Sequence, residues 1–389
     1  MKQIILNFFK FHLIPFITAI IFAVIVLVFL NYQQAKKIKI IEGIQTMKKG
    51  LNVSCAGSIQ QEIELAASLQ NSKYITLLGS SELTNDSPYQ SYNFLPDSLL
   101  MPTIAFGHAY HQSFSMFTEL LAMKNHIKKS KICVFISPGW FETEGTNIES
   151  FLEFVRPNFL KSIIHNDNVS TNDKLIIGQY ISSNFNDINE PSKSLNYFKD
   201  IFRLNKIKIV NKIILDNKNQ IEGVNYSVNL MKSELVQKKL VDFNAIKSRL
   251  QTTFISSINS NKLFINDEYF NKYLLDKNGK YQNSEVGKID INTNQEFSDL
   301  KVLIRFLKNN NCQASFVIQP LSVHHYKHLD NYNELIDSIK KILSKNNFPY
   351  LNMFVTKKQD YEPGTLNDIM HIGDYGWMRV NEFLVKTYK

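Results

Sequence analysis

Apolar and polar positions follow two rhythms along this chain. Residues 74–78 (Tyr-Ile-Thr-Leu-Leu), 103–107 and 131–136 are short, nearly continuous apolar runs. Such runs mark strands buried on both faces of a parallel sheet. Residues 314–320 and 350–354 repeat the pattern. Between them, residues 111–129, 297–308 and 331–344 show apolar side chains recurring every three and four positions, which predicts helices. Residues 85–102 carry Pro88, Pro96 and Pro102 among Asn, Asp and Ser, and read as a loop. A second loop covers residues 367–377, with a helix starting at Met378. Residues 142–296 hold few strand signals and read as a largely helical insertion placed to cover a site.

The succession strand, loop, strand, helix, strand, resumed after the insertion, predicts an α/β fold with a doubly wound parallel sheet. The strand ends at Ser80-Ser81, Gly107 and Ser137-Pro138-Gly139 then share one edge, where such folds build their sites.

The amino-terminal segment departs from both rhythms. No charged residue occurs between Lys10 and Lys36, and residues 13–30 are apolar apart from Pro15 and Thr18. A helix of that length covers about 27 Å, close to the hydrocarbon thickness of a bilayer. No small-x-small cleavage site follows in Asn31-Tyr32-Gln33-Gln34, so residues 1–35 read as an uncleaved transmembrane anchor rather than a signal peptide. Lysines flank the span on both sides, and charge counting does not set its orientation. Residues 36–72 follow as a helical linker, and residues 73–389 as the sheet-bearing domain.

Composition narrows the partners. The net charge of +9 suits a polyanion or an anionic membrane surface. The lysines are spread through a chain rich in Asn and Ile and form no compact cluster with aromatics, which argues against nucleic acid. Three widely spaced cysteines, Cys55, Cys133 and Cys312, support neither a disulfide framework nor a structural zinc site. Cys133 and Cys312 sit in strand-like runs as core residues. His324-His325-x-x-His328 lacks the glutamate of the H-E-x-x-H pattern. No metal and no cofactor is expected.

Two stretches carry chemistry. Gly79-Ser80-Ser81-Glu82-Leu83 ends the first strand on a glycine and offers two hydroxyls; its plain alternative is a turn that only closes the strand. Leu83 in place of a final glycine excludes the G-x-S-x-G elbow. Downstream, Asp368-x-x-His371 places a carboxylate three residues before an imidazole, close enough to orient it as a general base toward a serine. Asp86 and His111 lie nearer Ser81 in sequence but carry no matching partner pattern.

Gly79-Ser80-Ser81-Glu82-Leu83, Gly107, Ser137-Pro138-Gly139-Trp140-Phe141 and Asp368-x-x-His371-x-Gly373-x-x-Gly376-Trp377 together resemble the DltD family of D-alanyl transfer proteins of teichoic acid modification, within the SGNH (GDSL-type) hydrolase superfamily. The resemblance covers nearly the whole chain, anchor included. It implies an SGNH-like catalytic domain outside the cytoplasm, held by a single-pass anchor in the cell membrane. It implies a Ser81–His371–Asp368 triad, with the N–H groups of Ser81 and Gly107 as oxyanion donors. Gly139 stands where the family often has glutamine, and its backbone is the third oxyanion candidate. Glu82, Trp140 and Trp377 are candidates to line the substrate pocket, with helix-dipole and packing roles as their plain alternatives.

The implied partners are a D-alanyl donor, either an acyl carrier protein or a membrane-bound O-acyltransferase, and an anionic envelope polymer as acceptor. The rival functions are an SGNH esterase or O-acetyltransferase of a surface polysaccharide, and a non-catalytic membrane docking subunit.

Overall fold

The computed structural model describes residues 19, 21–26, 52–53, 59–84, 87–142, 145–146, 150–151, 154–155, 157–184, 241–257 and 261–389. Residues 1–48 belong to one compact unit, and residues 49–225 and 234–389 to another. In the first, residues 19 and 21–26 are helical, and the side chains of Ile21, Phe22, Val24 and Ile25 are exposed. Among the described residues no helix is long and apolar enough to cross a membrane. Most of the span expected as an anchor, residues 1–35, lies outside the described residues.

The larger unit is built on a six-stranded sheet in which every pair is parallel. Its strands are β1 (Asn52–Val53), β2 (Ile75–Gly79), β3 (Thr103–Gly107), β4 (Lys131–Ile136), β6 (Gln313–Ile318) and β8 (Tyr350–Asn352), in the order β1-β3-β2-β4-β6-β8. β5 (Ser284–Glu285) and β7 (Tyr326–Lys327) form a separate two-stranded pair. The order turns back at β2: β3 and β1 lie on one side, and β4, β6 and β8 on the other. The crevice beyond the carboxyl end of β2 is therefore the topological switch point, where open α/β sheets bind their ligands.

β2 is buried at all five positions, which explains its unbroken apolar run. Alternate residues face opposite sides. Ile75, Leu77, Ala105, Cys133, Phe135 and Val317 face one side and join a core with α2 (Ser91–Leu99) and α9 (Asp374–Tyr388) through Tyr92, Leu95, Leu99, Trp377, Met378, Val380 and Leu384. Helix α6 (Phe243–Ser257) adds Phe243, Ile246 and Leu250 to its rim. Elsewhere, α3 (Ser113–Ala122) packs against α7 (Gln295–Asn309), with Phe117 edge-on to Phe306 at 5.5 Å. α5 (Thr171–Asn184) packs on α3 by stacking Tyr180 on Phe114 at 3.8 Å. Further helices among the described residues include α1 (Ile59–Gln70), α4 (Pro157–His165) and α8 (Asn333–Lys345).

Three expectations are corrected. The stretch expected as a loop over residues 85–102 contains α2, with Pro96 inside it. Its prolines masked the helical spacing of Tyr92, Leu95 and Leu99, all buried. Pro96 lies past the first turn and removes one backbone donor from the helix interior, and core packing outweighs that loss. β2, α2 and β3 thus form a complete βαβ unit. Second, α9 begins at Asp374, so Asp374–Trp377 form its first turn instead of a loop. Third, the segment read as a helical linker, residues 36–72, is helical over Ile59–Gln70 as expected but also contains the edge strand β1, too short to show a period.

Other boundaries shift slightly. The helix expected over residues 111–129 stops at Ala122, where Met123 caps it and irregular turns follow. Cys133 and Cys312 are buried free thiols.

Candidate active site

The site grows from the end of β2. After Gly79 the chain enters a 3-10 turn, Ser81–Thr84, closed by Leu83 N–H donating to the Ser80 carbonyl at 3.1 Å and by Thr84 Oγ1 donating to the Ser81 carbonyl at 2.7 Å. The two serines separate here. Ser80 is 4% exposed, and its hydroxyl donates to the His108 carbonyl at 3.0 Å. Ser81 is half-buried, and its Oγ lies 2.9 Å from His371 Nε2. Ser81, not Ser80, presents its hydroxyl to the imidazole.

His371 comes from a tight loop held by its own backbone. Asn367 N–H donates to the His371 carbonyl at 2.9 Å, Gly373 N–H to the Thr365 carbonyl at 2.9 Å, and Leu366 pairs with Ile372 in an antiparallel bridge. A side chain at Gly373 would sit 2.6 Å from the Gly364 carbonyl oxygen, so the two arms meet this closely only with glycine there. Neighbouring segments fix the loop: Asn266 N–H donates to the Asn367 carbonyl at 2.9 Å, Ser322 N–H to the Ile369 carbonyl at 3.0 Å, and Leu263 and Ile265 pack on Ile369.

Asp368 is buried and fully engaged. Its Oδ1 accepts from the N–H groups of Met370 and His371, each at 2.8 Å, and its Oδ2 accepts from His371 Nδ1 at 2.7 Å. An acceptor at Nδ1 places the neutral ring's proton there and leaves the Nε2 lone pair for the Ser81 hydroxyl. Burial alone lowers the pKa of His371, but the hydrogen bond and charge of Asp368, with a smaller pull from Glu82, raise it above the ordinary value.

A pH dependence follows. Nε2 accepts a proton from Ser81 only while it carries none, so Ser81 reactivity falls with the fraction of imidazolium. Labelling of Ser81 by a fluorophosphonate, followed by mass spectrometry against pH, is expected to decline on acidification with a midpoint above about 6.5. A midpoint at or below that value contradicts the arrangement.

The other candidate residues divide. Gly107 ends β3 opposite Gly79, and a Cβ there would lie 2.7 Å from the Ser80 carbonyl oxygen. Gly139 lies in the 3-10 segment Pro138–Glu142 after β4, where a Cβ would meet only Ser137 Oγ at 3.7 Å. β2, β3 and β4 are neighbouring parallel strands, so all three glycines lie at one sheet edge.

The three residues expected to line a pocket are turned inward. Trp377 is 0% exposed and packs on Phe135 at 5.5 Å, because the first turn of α9 faces the core. Trp140 is 8% exposed. Glu82 is 2% exposed and accepts the Ser80 N–H at 2.6 Å, and burial pushes its carboxyl above the usual range.

His325 holds the Tyr281 hydroxyl at 3.0 Å and the Ser284 hydroxyl at 2.9 Å, joining the loop after β6 to the region of β5. His111, set aside on sequence, touches the end of β2 and pairs with Glu119 in α3. The only sequence signal for that pair is a lone acid in the apolar helix Ser-Phe-Ser-Met-Phe-Thr-Glu-Leu-Leu-Ala.

Comparison with known proteins gives one family. A family model described as "DltD protein" matches residues 56–389. Protein DltD of Staphylococcus aureus (strain NCTC 8325 / PS 47) is 23% identical over 341 residues, an alignment spanning 82% of each chain. Protein DltD of Bacillus subtilis (strain 168) is 21% identical over 352 residues, spanning 82% of this chain and 84% of its own.

Proposed function

The chain belongs to the DltD family, and from that premise we propose that it is a membrane-anchored serine acyltransferase that transfers D-alanine to teichoic acid, lipoteichoic acid or a related anionic envelope polymer. The observation that carries the reading is the hydrogen-bonded series Ser81 Oγ, His371 Nε2, His371 Nδ1, Asp368 Oδ2 at the switch point of the sheet. An SGNH-like fold for residues 73–389 agrees with this strand order. Residues 1–35 serve as the anchor, with the domain on the outer side of the membrane.

The mechanism is acyl transfer through Ser81. As the hydroxyl oxygen attacks the carbonyl carbon of a D-alanyl thioester or ester, its proton moves to His371 Nε2. The N–H groups of Ser81 and Gly107, with the backbone near Gly139, are the groups to hold the oxyanion. Collapse expels the donor's thiol or hydroxyl, which takes the proton from His371 and leaves D-alanyl-Ser81. An acceptor hydroxyl then gives its proton to His371, attacks the ester, and releases Ser81 with its proton restored. Asp368 stabilises the imidazolium in both halves. The donor is an acyl carrier protein or a membrane-bound O-acyltransferase partner. Transfer over hydrolysis requires that water be kept from the acyl-serine.

The test is Ser81→Ala in cells supplied with labelled D-alanine or labelled acetate. Loss of D-alanine ester from the envelope polymer, with the variant still folded and inserted, is the expected result. Loss of acetate ester instead makes the protein an O-acetyltransferase, and unchanged ester content makes it a docking subunit.

A further inference from the structure

Glu82 Oε1 occupies the space that a Cβ on Gly79 would need, so the turn after β2 closes on this carboxyl only with glycine there. One further peptide, Ser80–Ser81, separates the Gly79–Ser80 peptide from Ser81 and carries the Ser81 N–H. Both polar ends of the Gly79–Ser80 peptide are held by buried side chains. The Gly79 carbonyl accepts from His111 Nδ1 at 2.9 Å, and the Ser80 N–H donates to Glu82 Oε1 at 2.6 Å. His111 Nε2 lies 3.1 Å from Glu119 Oε2. His111, Glu119 and Glu82 are all buried, and the Phe154 ring lies 4.6 Å from the His111 ring.

Proton placement follows from the partners. A carbonyl oxygen only accepts, so Nδ1 of His111 carries a hydrogen. Nε2 faces a carboxyl, and one proton lies between them. Burial lowers the pKa of His111, while the charge and hydrogen bond of Glu119, the Gly79 carbonyl and Glu82 raise it, with a net upward shift. An imidazole N–H whose ring is paired with a carboxyl is a stronger donor than one on an isolated neutral ring, and here it holds the Gly79 carbonyl end of the peptide.

We propose that His111, Glu119 and Glu82 act as a clamp on the Gly79–Ser80 peptide that positions Ser81 for acylation; this rests on the reading of Ser81 as the nucleophile. None of the three bonds to the Ser81 hydroxyl, so they are positioning residues. The clamp holds Ser81 Oγ at His371 and sets the direction of the Ser81 N–H.

The experiment measures the rate of fluorophosphonate labelling at Ser81, together with thermal unfolding, in the full chain carrying His111→Ala, His111→Asn or Glu119→Gln. The asparagine amide nitrogen takes the place of Nδ1 and restores the donor to the Gly79 carbonyl. His111→Ala is expected to slow labelling about 100-fold, the scale of a misplaced reacting group. His111→Asn recovers at least about tenfold of that loss by keeping one bond, and Glu119→Gln falls between wild type and His111→Ala.

A folded His111→Ala that labels at the wild-type rate overturns the clamp. So does a His111→Asn that unfolds like wild type and labels no faster than His111→Ala. Where His111→Ala does not fold, wild-type rates in both His111→Asn and Glu119→Gln overturn it. A wild-type chain left unlabelled at Ser81 overturns the nucleophile reading and the clamp together, and so separates the two failures.

Discussion

Asp368→Asn is expected to lower the rate of Ser81 acylation by about 10⁴ while leaving the fold in place. That loss corresponds to about 5 kcal/mol of activation free energy. The size follows from proton placement. Asp368 Oδ2 accepts from His371 Nδ1 at 2.7 Å, and Oδ1 accepts two backbone N–H groups of the same loop. An asparagine keeps its carbonyl oxygen for those two donors, which turns its amide N–H toward Nδ1. The imidazole then holds its proton on Nε2 and cannot accept the one on Ser81. A second signature separates this from loose packing. Asp368 is what raises the pKa of His371 against burial, so its loss moves the acid limb of the labelling profile to lower pH. A variant with a rate within tenfold of wild type and an unmoved limb would sink the triad.

Gly107→Ala is expected to disable the site from a neighbouring strand. Its Cβ would lie 2.7 Å from the Ser80 carbonyl oxygen, 2.9 Å from the Gly79 carbonyl oxygen and 2.9 Å from Leu83 Cβ. Two of these neighbours are backbone and cannot swing away, so the turn itself must move. Overpacking of this kind costs about 1–3 kcal/mol of stability, read as a lower unfolding temperature. A shift of about 1 Å at Ser81 costs about 100-fold in rate, read by fluorophosphonate labelling. Gly139→Ala is the internal control: with only Ser137 Oγ near, at 3.7 Å, it keeps the wild-type unfolding temperature. Equal unfolding temperatures for the two variants would contradict the close approach at Gly107.

The sheet was largely legible because its strands are buried on both faces, and burial on both faces writes itself as continuous apolar runs. β2, β3 and β4 were readable for this reason, whereas β1 has two residues and writes nothing. Helix α2 is hidden because three prolines outweigh the spacing of Tyr92, Leu95 and Leu99 in a local reading, and only packing on α9 shows why the helix holds. The spacing of Asp368 and His371 was legible because their bond lies within one loop. The bond between Ser81 and His371 crosses 290 residues, and no local pattern encodes it. Packing is the alternative the sequence carries for Trp377, and the helix that starts at Asp374 is what gives it a buried face. His111 meets a backbone carbonyl, a partner that leaves no trace in side-chain spacing, and Glu119 meets only His111 there.

The distance between Ser81 and its base also bears on how the protein is made. The ribosome delivers Ser81 and its turn 290 residues before His371. Through that interval the nascent chain carries the hydroxyl without the imidazole, and the core lacks Trp377, Met378, Val380 and Leu384. Contacts this far apart form late in folding, because the loop between them must close first. Reactivity and completion of the core are therefore coupled, and an interrupted chain holds a serine with no group to activate it.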